Sequence, residues 1–382
     1  MTIVRKIVYE LLSLLNIVIP KKKRVFIYGG NELSGNSEAM FRYLINTGSI
    51  NVMCVTNEKV LAYEKYKNAV FVNDSFFHAM WAYLTSQVVL DSSLHKVKIK
   101  PTKKQLSLQL WHGSPLKHLP KCGGIRYGAY YTYVVYASDL FKEEMKQSFG
   151  IDDNRLLLLG NPRNDDLFKH VSLPSQLSSS GKAVMWMPTF RRGIGLQEAS
   201  RDIPILSKDN IPELETFLKR NRIKLFIKPH PLQMGGLKDM FSDYELSFIH
   251  LVTDNDLRKH GITLYEMLGS MDALLTDYSS VFFDYLLIDR PIGFAIDDIE
   301  EYSQKRGFAL SPPESYMPGA IIQTYQDLLR FFNNVNDEID MFKKERKKIN
   351  QLVNYYQDDR SAERCTKYIM KALNLEQQGD VQ

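Results

Sequence analysis

The sequence predicts an α/β protein with two domains, each an open parallel sheet covered by helices. The chain has 382 residues, which exceeds what one hydrophobic core supports and suits two domains of about 150–200 residues each. Short apolar runs alternate with longer helical patterns along most of the chain, which is typical of parallel sheets. The alternation is interrupted once, by the Ser-rich and weakly apolar segment 171–181, and then resumes.

Five segments follow from these patterns. An amphipathic helix is predicted over 1–23, two domains over 24–170 and 182–356, a linker at 171–181, and a final helix and tail over 357–382. Open α/β sheets bind ligands beyond the carboxyl ends of their strands. We therefore expect the two domains to face each other across a central cleft.

Eleven apolar runs are predicted to be strands. In the first domain they are Val25–Tyr28, Val52–Val55, Gln87–Leu90, Leu106–Leu110, Tyr133–Tyr136 and Leu156–Leu159. In the second domain they are Val184–Met187, Leu225–Lys228, Phe248–Val252, Ala273–Thr276 and Pro291–Ala295. Helical patterns include Ser37–Thr47, Ser75–Leu84, Asp337–Tyr356 and Arg360–Leu373.

The first 23 residues combine an apolar helical face with a basic end. Apolar residues recur from Val4 to Ile19 at helical spacing, but the uncharged stretch Leu11–Pro20 is shorter than the roughly 20 residues that span a bilayer. No small-residue cleavage site follows, which disfavours a secretory signal. The pattern predicts a helix lying on an anionic membrane surface, with packing on the protein itself as the alternative.

Charge and cysteine content disfavour several classes of protein. Residues 1–24 hold six basic residues and one acidic residue, and their net charge of +5 equals that of the whole chain. The remaining body is therefore neutral, which disfavours nucleic-acid binding. Three distant cysteines fit neither a disulfide framework nor a zinc site and indicate a reducing compartment. Walker-type and dinucleotide-binding glycine motifs and metal-ligand clusters are absent from the sequence, so we expect no cofactor and no metal.

Two motifs follow predicted strands of the first domain. The segment 111–117 reads WHGSPLK, in which His112 beside a glycine and a lysine suits a base near an anionic substrate, or a turn held by hydrogen bonds alone. The segment 160–165 reads GNPRND. Its Arg163 suits a phosphate or carboxylate group, or else pairs with an acid of the same turn.

Three motifs follow predicted strands of the second domain. MPTFRRG at 187–193 offers a hydroxyl and two guanidinium groups to an anion, or is a solvated loop. KPHP at 228–231 aims His230 between two prolines, as a phosphate contact or acid–base group, or as a satisfied histidine in a turn. TDYSSVFFD at 276–284 puts two serines at a helix start, where free N–H groups bind phosphate or a serine only caps the helix.

In this order, and with a later Met-Pro-Gly at 317–319, the motifs resemble the CDP-glycerol glycerophosphotransferases of wall teichoic acid synthesis. The resemblance covers about residues 24–373. It implies a GT-B-like fold of two Rossmann-type domains and transfer of glycerol phosphate from CDP-glycerol to a membrane-bound acceptor, with release of CMP. With two domains and only a short N-terminal helix, the chain resembles the primase branch of the family. The acceptor of that branch is an undecaprenyl-diphosphate-linked N-acetylmannosaminyl-N-acetylglucosamine.

The resemblance also implies roles for individual residues. His112 resembles the family's HG-motif histidine and is expected to be the base on the acceptor hydroxyl. His230 resembles the second essential histidine and is expected to stabilise the transferring phosphate or the leaving CMP. The expected donor-binding residues are Trp111, Gly113, Ser114, Pro115, Arg163, Pro188, Thr189, Lys228, Pro229, Ser279, Ser280 and, on a donor hydroxyl, Asp284. Lys117 and Arg191 are expected to contact the acceptor or a phosphate.

Several alternatives stay open. The stretch 193–211 does not align closely with the family, so CDP-ribitol is an alternative donor. Polymerisation of glycerol or ribitol phosphate, nucleotide-sugar transfer by a GT-B enzyme, and a non-catalytic membrane-surface scaffold are alternative functions. The expected partners are CDP-glycerol, the lipid-linked disaccharide, an anionic membrane surface and other teichoic acid enzymes. The expected location is the cytoplasmic face of the cell membrane, as a peripheral protein.

Overall fold

Helices and strands alternate along the chain. The computed structural model describes residues 3–30, 33–57, 69–93, 97–119, 127–189, 203–230 and 233–375. The elements of the first part are α1 (Ile3–Val18), β1 (Lys22–Gly30), α2 (Gly35–Asn46), β2 (Val52–Thr56), β3 (Ala69–Val72), α3 (Phe76–Thr85), β4 (Ser86–Asp91), β5 (Leu106–Gln109), β6 (Tyr133–Tyr136), α4 (Lys142–Phe149) and β7 (Leu156–Leu158). Those that follow are β8 (Lys182–Met187), α5 (Ile211–Asn221), β9 (Ile223–Ile227), α6 (Met234–Phe241), β10 (Ile249–Leu251), α7 (Asp254–Lys259), α8 (Leu264–Leu268), β11 (Ala273–Thr276), α9 (Val281–Tyr285), β12 (Ile292–Ala295), α10 (Ile299–Arg306), β13 (Ala320–Ile322), α11 (Tyr325–Asn336), α12 (Lys343–Val353) and α13 (Ser361–Leu373).

The chain folds into two compact units. The first comprises residues 1–113, 120–165 and 355–382, and the second comprises 114–119 and 166–354. Each unit contains one parallel sheet and its own helices. The expected cleft shared by the two domains stays a prediction.

This division differs from the predicted domain boundaries in three places. Segment 114–119 belongs to the second unit, where the Leu116 carbonyl accepts a 2.9 Å hydrogen bond from the Ala309 N–H. The predicted linker 171–181 lies wholly inside the second unit. Helix α13 belongs to the first unit because its apolar side chains are part of that unit's core.

The sheet of the first unit has seven parallel strands in the order β3-β2-β1-β4-β5-β6-β7. Val25 and Ile27 of β1 pack into a core shared with α2 and α13. Phe26 and Tyr28, the alternate residues of that strand, pack on the other face, which α3 and α1 cover. Because successive side chains of a strand point to opposite faces, its continuous apolar run needs helices on both sides.

The sheet of the second unit has six parallel strands in the order β10-β9-β8-β11-β12-β13. Val184 and Trp186 of β8 pack in one core with apolar residues of α5, α6 and α11. Strand order reverses between β1 and β4 in the first sheet and between β8 and β11 in the second. Open α/β sheets bind ligands at the carboxyl edge near such a reversal, so these are the places to look for function.

The predicted α/β class with parallel sheets is confirmed, and all eleven predicted strands overlap observed ones. Strands β3 (Ala69–Val72) and β13 (Ala320–Ile322) were not predicted. Both are short strands at the edges of their sheets, with partly exposed side chains. The helix predicted over Asp337–Tyr356 is wrong in extent. Helix α11 ends at Asn336, Glu338 has a left-handed φ of 57°, and α12 covers only Lys343–Val353.

Helix α1 packs on the first unit with one face and exposes another apolar face. Tyr9 and Leu12 lie against the core beneath α3, and the Asn16 amide donates 2.9 Å hydrogen bonds to the Lys100 carbonyl and the Gln105 side chain. Six other apolar side chains are 50–73% exposed and form the outer face of α1: Ile7, Leu11, Leu14, Leu15, Ile17 and Val18. In the described part of the chain, no helix is long and apolar enough to cross a bilayer. Contact of the outer face with a membrane stays a prediction.

Candidate active site

A buried polar network lies at the carboxyl edge of the first sheet. Asp91 ends β4 and is fully buried, and its carboxylate accepts hydrogen bonds from Gln109, Tyr131 and the backbone of Ser93. Gln109 ends β5, and its side-chain oxygen accepts a 2.9 Å hydrogen bond from the Trp111 N–H. The network therefore holds the start of the loop that follows β5.

The backbone on both sides of His112 has an uncommon conformation. Trp111 has a φ of +53°, a left-handed value that costs a non-glycine residue on the order of 1–3 kcal/mol. Gly113, predicted to allow an unusual turn, has a φ of +114°. Trp111 and Gly113 are buried, whereas the imidazole of His112 between them reaches solvent.

Asn36, at the start of α2, connects two loops of the first unit. Its buried amide donates hydrogen bonds to the carbonyls of Leu110 (3.1 Å) and Trp111 (2.8 Å). Its side-chain oxygen accepts a 3.0 Å hydrogen bond from the Arg163 N–H. An amide is suited to this position because it donates twice and accepts as well. Asn36 therefore brings the predicted residues His112 and Arg163 together.

His112 is arranged to accept a proton. Its Nδ1 lies 3.3 Å from the Ser92 carbonyl oxygen, and its ring centroid is 3.9 Å from that of Trp111. Partial desolvation by these neighbours, followed by the positive charge of Arg163, lowers the pKa of His112 below its ordinary 6.5. The hydrogen bond to Ser92 assigns the proton of the neutral ring to Nδ1, which leaves Nε2 as the acceptor.

The loop 160–165 packs against the start of α13. The buried Asp165 carboxylate accepts hydrogen bonds from the N–H groups of Ser361 (2.9 Å) and Ala362 (2.8 Å). Burial raises the pKa of Asp165 to about 6 despite these bonds. The acid of this motif therefore holds the last helix, while the half-buried Arg163 acts on the neighbouring imidazole.

In the second unit, the loops after β8 and β11 are bonded to each other at the strand-order reversal. The Thr189 N–H lies 2.9 and 3.0 Å from the two carboxylate oxygens of Asp277, and the Thr189 hydroxyl donates to the same carboxylate. The Thr276 hydroxyl donates to the Met187 carbonyl at 2.7 Å. Asp277 and Pro188 are buried. Two predicted residues, Pro188 and Thr189, are thus tied to the TDYSS motif.

The KPHP motif follows β9 and exposes its histidine. Lys228 is buried and forms a 3.0 Å ion pair with Asp254, and Pro229 is buried as well. His230 is exposed, and its backbone N–H donates to the Gln233 side chain at 3.3 Å. Partial desolvation, followed by the charge of Lys228, lowers the pKa of His230 below 6.5. The motif therefore presents a neutral imidazole next to a fixed positive charge.

Ser279 and Ser280 precede helix α9 and are half-buried. Ser280 makes no side-chain capping hydrogen bond, so its hydroxyl does not serve as a plain helix cap. Asp284 is fully buried and accepts a 2.6 Å hydrogen bond from the Tyr265 hydroxyl, which ties α9 to α8. The direct contact of Asp284 with a donor hydroxyl stays a prediction.

The chain enters the second unit just after the HG motif, with Ser114. Ser114 is buried, and its hydroxyl oxygen has no hydrogen-bond partner within the described residues. A buried polar atom of this kind is normally satisfied by water or a ligand. Pro115 is buried, and the Lys117 ammonium lies 5.6 Å from the centroid of the Tyr302 ring. Arg191 lies outside the described residues.

Two residues of these networks were missed from the sequence, Asn36 and, as a structural acceptor, Asp277. Asn36 stands in a Gly-Asn-Ser sequence at the start of the helix after β1, where a polar side chain meets the carboxyl edge of the sheet. Asp277 directly follows β11 within a motif that was recognised. Both residues could have been found by the same rule. Each is a small polar residue in the connection from a strand to a helix, next to the point where strand order reverses.

No metal centre is evident in the part of the chain that the structure describes, where no three His, Cys, Asp or Glu side chains form a ligand group. The carboxylate of Asp298 is bonded within the protein, because it accepts a 2.8 Å hydrogen bond from the Tyr278 hydroxyl. The expectation that the protein uses neither metal nor cofactor stays a prediction.

One protein family matches most of the chain. Its members are described as CDP-Glycerol:Poly(glycerophosphate) glycerophosphotransferase, and its sequence model matches residues 11–371. The chain belongs to this family. The family predicted from the ordered motifs is thereby confirmed.

Relatives within the glycerophosphotransferase family match the chain over different lengths. The teichoic acid ribitol-phosphate primase of Bacillus spizizenii is 23% identical over 96% of this chain and 95% of its own length. The teichoic acid glycerol-phosphate primase of Bacillus subtilis is 30% identical over 46% of this chain, which is 42% of its own length. A solved structure of the wall teichoic acid polymerase TagF has a TM-score of 0.76 at 20% identity, covering 97% of this chain and 96% of that one. The TagF likeness shows a shared fold.

Proposed function

We propose that this protein transfers glycerol phosphate from CDP-glycerol to a lipid-linked acceptor and releases CMP. The observation that carries the proposal is a pair of exposed histidines, His112 and His230, each influenced by a fixed positive charge at the carboxyl edge of a parallel sheet. Membership of the glycerophosphotransferase family supports the reaction class. The proposed acceptor is an undecaprenyl-diphosphate-linked N-acetylmannosaminyl-N-acetylglucosamine. The priming step is proposed because a primase matches over nearly the full length of both chains.

His112 is the proposed base on the acceptor hydroxyl. Its lowered pKa keeps the imidazole neutral at pH 7, and the Ser92 carbonyl holds Nδ1–H so that Nε2 receives the proton. The acceptor oxygen then forms a bond to the β-phosphorus of CDP-glycerol while the bond from that phosphorus to the CMP oxygen breaks. General bases typically contribute ~10²–10⁴ in rate.

The second unit is the proposed holder of the donor. Phosphoryl transfer spreads negative charge over the non-bridging oxygens, so positioned donors and cations lower its barrier without covalent help. Lys228 and His230 supply a fixed charge and an imidazole, and the latter stabilises the transferring phosphate or the leaving CMP. The other proposed donor contacts in this unit are Ser114, Pro115, Pro188, Thr189, Pro229, Ser279, Ser280 and, on a donor hydroxyl, Asp284. Those in the first unit are Trp111, Gly113 and Arg163. Lys117 and Arg191 are the proposed contacts to the acceptor or a phosphate.

CDP-ribitol is the second candidate donor. The observation that favours it is the full-length match to a ribitol-phosphate primase, because the glycerol-phosphate primase matches over less than half of either chain. Both donors share the cytidine and diphosphate groups, so the same charged residues serve either one. The choice between them lies in contacts to the polyol.

The proposed location is the cytoplasmic face of the cell membrane, with the protein bound peripherally. The outer face of α1 supports this, since six apolar side chains are exposed on a helix that is already packed on its other side. An amphipathic helix of this type enters the headgroup region of a bilayer. The lipid-linked acceptor is present at that surface.

The test is CMP release from CDP-glycerol and CDP-ribitol with the lipid-diphosphate disaccharide as acceptor, followed by product mass. We expect turnover of CDP-glycerol and a product heavier by one glycerol phosphate. A series of products that differ by one glycerol phosphate each would show that the protein is a polymerase. Turnover of CDP-ribitol alone would show that CDP-ribitol, and not CDP-glycerol, is the donor. The control is the His112→Ala variant, which should release CMP ~10²–10⁴ times more slowly than the unmodified protein.

The same assay separates the two remaining functions. A nucleotide-sugar transferase would use a UDP-sugar and ignore both CDP-polyols. A membrane-surface scaffold would bind vesicles but release no CMP from any donor. Either result would overturn the proposed reaction while leaving the family assignment in place.

A further inference from the structure

A cavity of about 820 Å³ opens at the amino-terminal edge of the first sheet. It lies between the end of α1, the starts of β4 and β5, and the end of α13. Because the strands are parallel, this edge is opposite to the one that His112 follows. The cavity is therefore separate from the candidate active site.

The cavity is strongly basic. Among the described residues, its lining contains no Asp or Glu but four lysines, which together define the lysine pocket: Lys21, Lys103, Lys104 and Lys371. Lys21 donates to three neutral oxygens, the Asn16 carbonyl (2.8 Å), the Asn16 side chain (2.6 Å) and the Leu84 carbonyl (2.6 Å). The other three lysines are exposed, and none of the four forms an ion pair with a described acidic residue. The pocket thus holds positive charge that the described part of the protein does not neutralise.

One wall of the pocket is apolar and continues into the helix surface. Ile17 and Val18 line the cavity and belong also to the outer face of α1. Helix α3 adds further exposed rings, since Phe76 packs edge-on against Tyr9 of α1 with centroids 6.3 Å apart, and Phe77 beside it is 81% exposed. A cationic cavity joined to an exposed apolar helix fits a ligand with an anionic head and acyl chains.

We propose that the lysine pocket binds the phosphate headgroup of one anionic phospholipid while the outer face of α1 enters the acyl layer. A free nucleotide or sugar phosphate would leave the apolar wall unused, and a nucleic acid would need positive charge over a broader surface. The proposal goes beyond membrane contact by α1 because it specifies a saturable site. It holds whichever polyol phosphate the protein transfers.

The first arm of the test measures stoichiometry. The full chain is titrated with dihexanoyl phosphatidylglycerol below its micelle concentration, and binding is followed by calorimetry. We expect saturation at one lipid per chain, and the absence of saturable binding would overturn the proposal. Inorganic phosphate is added as a competitor, and complete displacement at equal concentration would identify a soluble-anion site instead.

The second arm compares charge-matched variants on vesicles of phosphatidylglycerol with phosphatidylcholine. The pocket variant is Lys103→Gln/Lys104→Gln/Lys371→Gln. Its control is Lys343→Gln/Lys344→Gln/Lys347→Gln, which removes three exposed lysines from α12 in the second unit. Lys21 is left unchanged because its hydrogen bonds hold the end of α1.

Each lysine near an anionic surface strengthens binding about fivefold, so the pocket variant should bind these vesicles on the order of 100-fold more weakly. The control variant should stay close to the unmodified chain and keep its one-to-one lipid binding. Equal losses in both variants would indicate a diffuse electrostatic attraction and would overturn the pocket. Thermal unfolding of each variant is measured alongside, and unchanged melting shows that a lost affinity is not a lost fold.

Discussion

The two units hold their functional loops by different chemical means. In the first unit a neutral amide, Asn36, donates to two carbonyls and accepts from one N–H. In the second unit a buried carboxylate, Asp277, accepts from the N–H and hydroxyl of Thr189. A carboxylate only accepts, whereas an amide satisfies donors and acceptors together. The first pair of loops therefore requires a side chain that both donates and accepts, whereas the second requires mainly an acceptor.

The largest expected effects come from the histidine that each unit exposes. His112→Ala should lower kcat by ~10²–10⁴, the usual contribution of a general base. His230→Ala should lower kcat by ~10²–10³, the usual contribution of one group that stabilises transition-state charge. The measurement is CMP release at saturating donor, and the control is His170→Ala, an exposed histidine without a proposed role. Activity within tenfold of the unmodified protein in either variant would remove that histidine from the mechanism.

Changing the amide to a carboxylate in one unit and the carboxylate to an amide in the other should have unequal effects on stability. Asn36→Asp turns a carboxylate toward the Leu110 and Trp111 carbonyls and leaves both unpaired, at about 1–3 kcal/mol each. Asp277→Asn keeps an acceptor for the Thr189 N–H and should cost no more than about 1 kcal/mol. The measurement is the free energy of unfolding in guanidinium for both variants.

The control for this exchange is Asn333→Asp, an equal chemical change on the exposed side of α11. It should leave the free energy of unfolding nearly unchanged. Equal destabilisation by Asn36→Asp and Asp277→Asn would show that both positions need only an acceptor. The contrast between the two units would then be lost.

Much of this arrangement was predictable from local sequence. Strands such as Tyr133–Tyr136 are buried apolar runs between turns. The candidate motifs, such as 111–117, were located from the sequence because each directly follows a predicted strand, and their function stays a prediction. Asn36 was not predictable, because its role depends on carbonyls 74 and 75 residues away along the chain. The same holds for Asp165, whose partners in α13 lie almost 200 residues away. Local patterns identify which residues reach a sheet edge, but not which loops that edge brings together.

The link between the loop 160–165 and α13 predicts a pH-dependent stability in the first unit. Burial raises the Asp165 pKa from an ordinary 3.8 to about 6, a difference equivalent to roughly 3 kcal/mol. The folded chain therefore binds this proton more tightly than the unfolded chain. Its contribution to stability is greatest below pH 4 and falls as the pH rises to about 6. Asp165→Asn should flatten this part of the stability profile.

The measurement is the free energy of unfolding between pH 4 and 7 for the unmodified chain and the variant. Asp239→Asn, an exposed acid on α6, is the control and should leave the slope as it is. The variant also loses one of the two hydrogen bonds to α13, so its curve should be lower as well as flatter. A slope identical to that of the unmodified chain would show that Asp165 is ionised throughout this range.

The smallest expected effect is on kcat/KM at acidic pH, the acid limb of the pH profile. It shows whether His112 of the first unit or His230 of the second is the group that must lose its proton. A neutral imidazole is the active form of a base, so kcat/KM, which reports the free enzyme, should fall on acidification with a midpoint below 6.5.

Arg163→Gln removes the second cause of the lowered His112 pKa and leaves desolvation, the larger one, in place. The limb should therefore move to higher pH only in part, whereas Arg163→Lys, which keeps the charge, should leave it unmoved. The pKa of His230 is lowered by desolvation and by Lys228, and not by Arg163, so a limb that moves identifies His112 as the group that must lose its proton. A limb that stays in place in the Gln variant would assign the base to another residue.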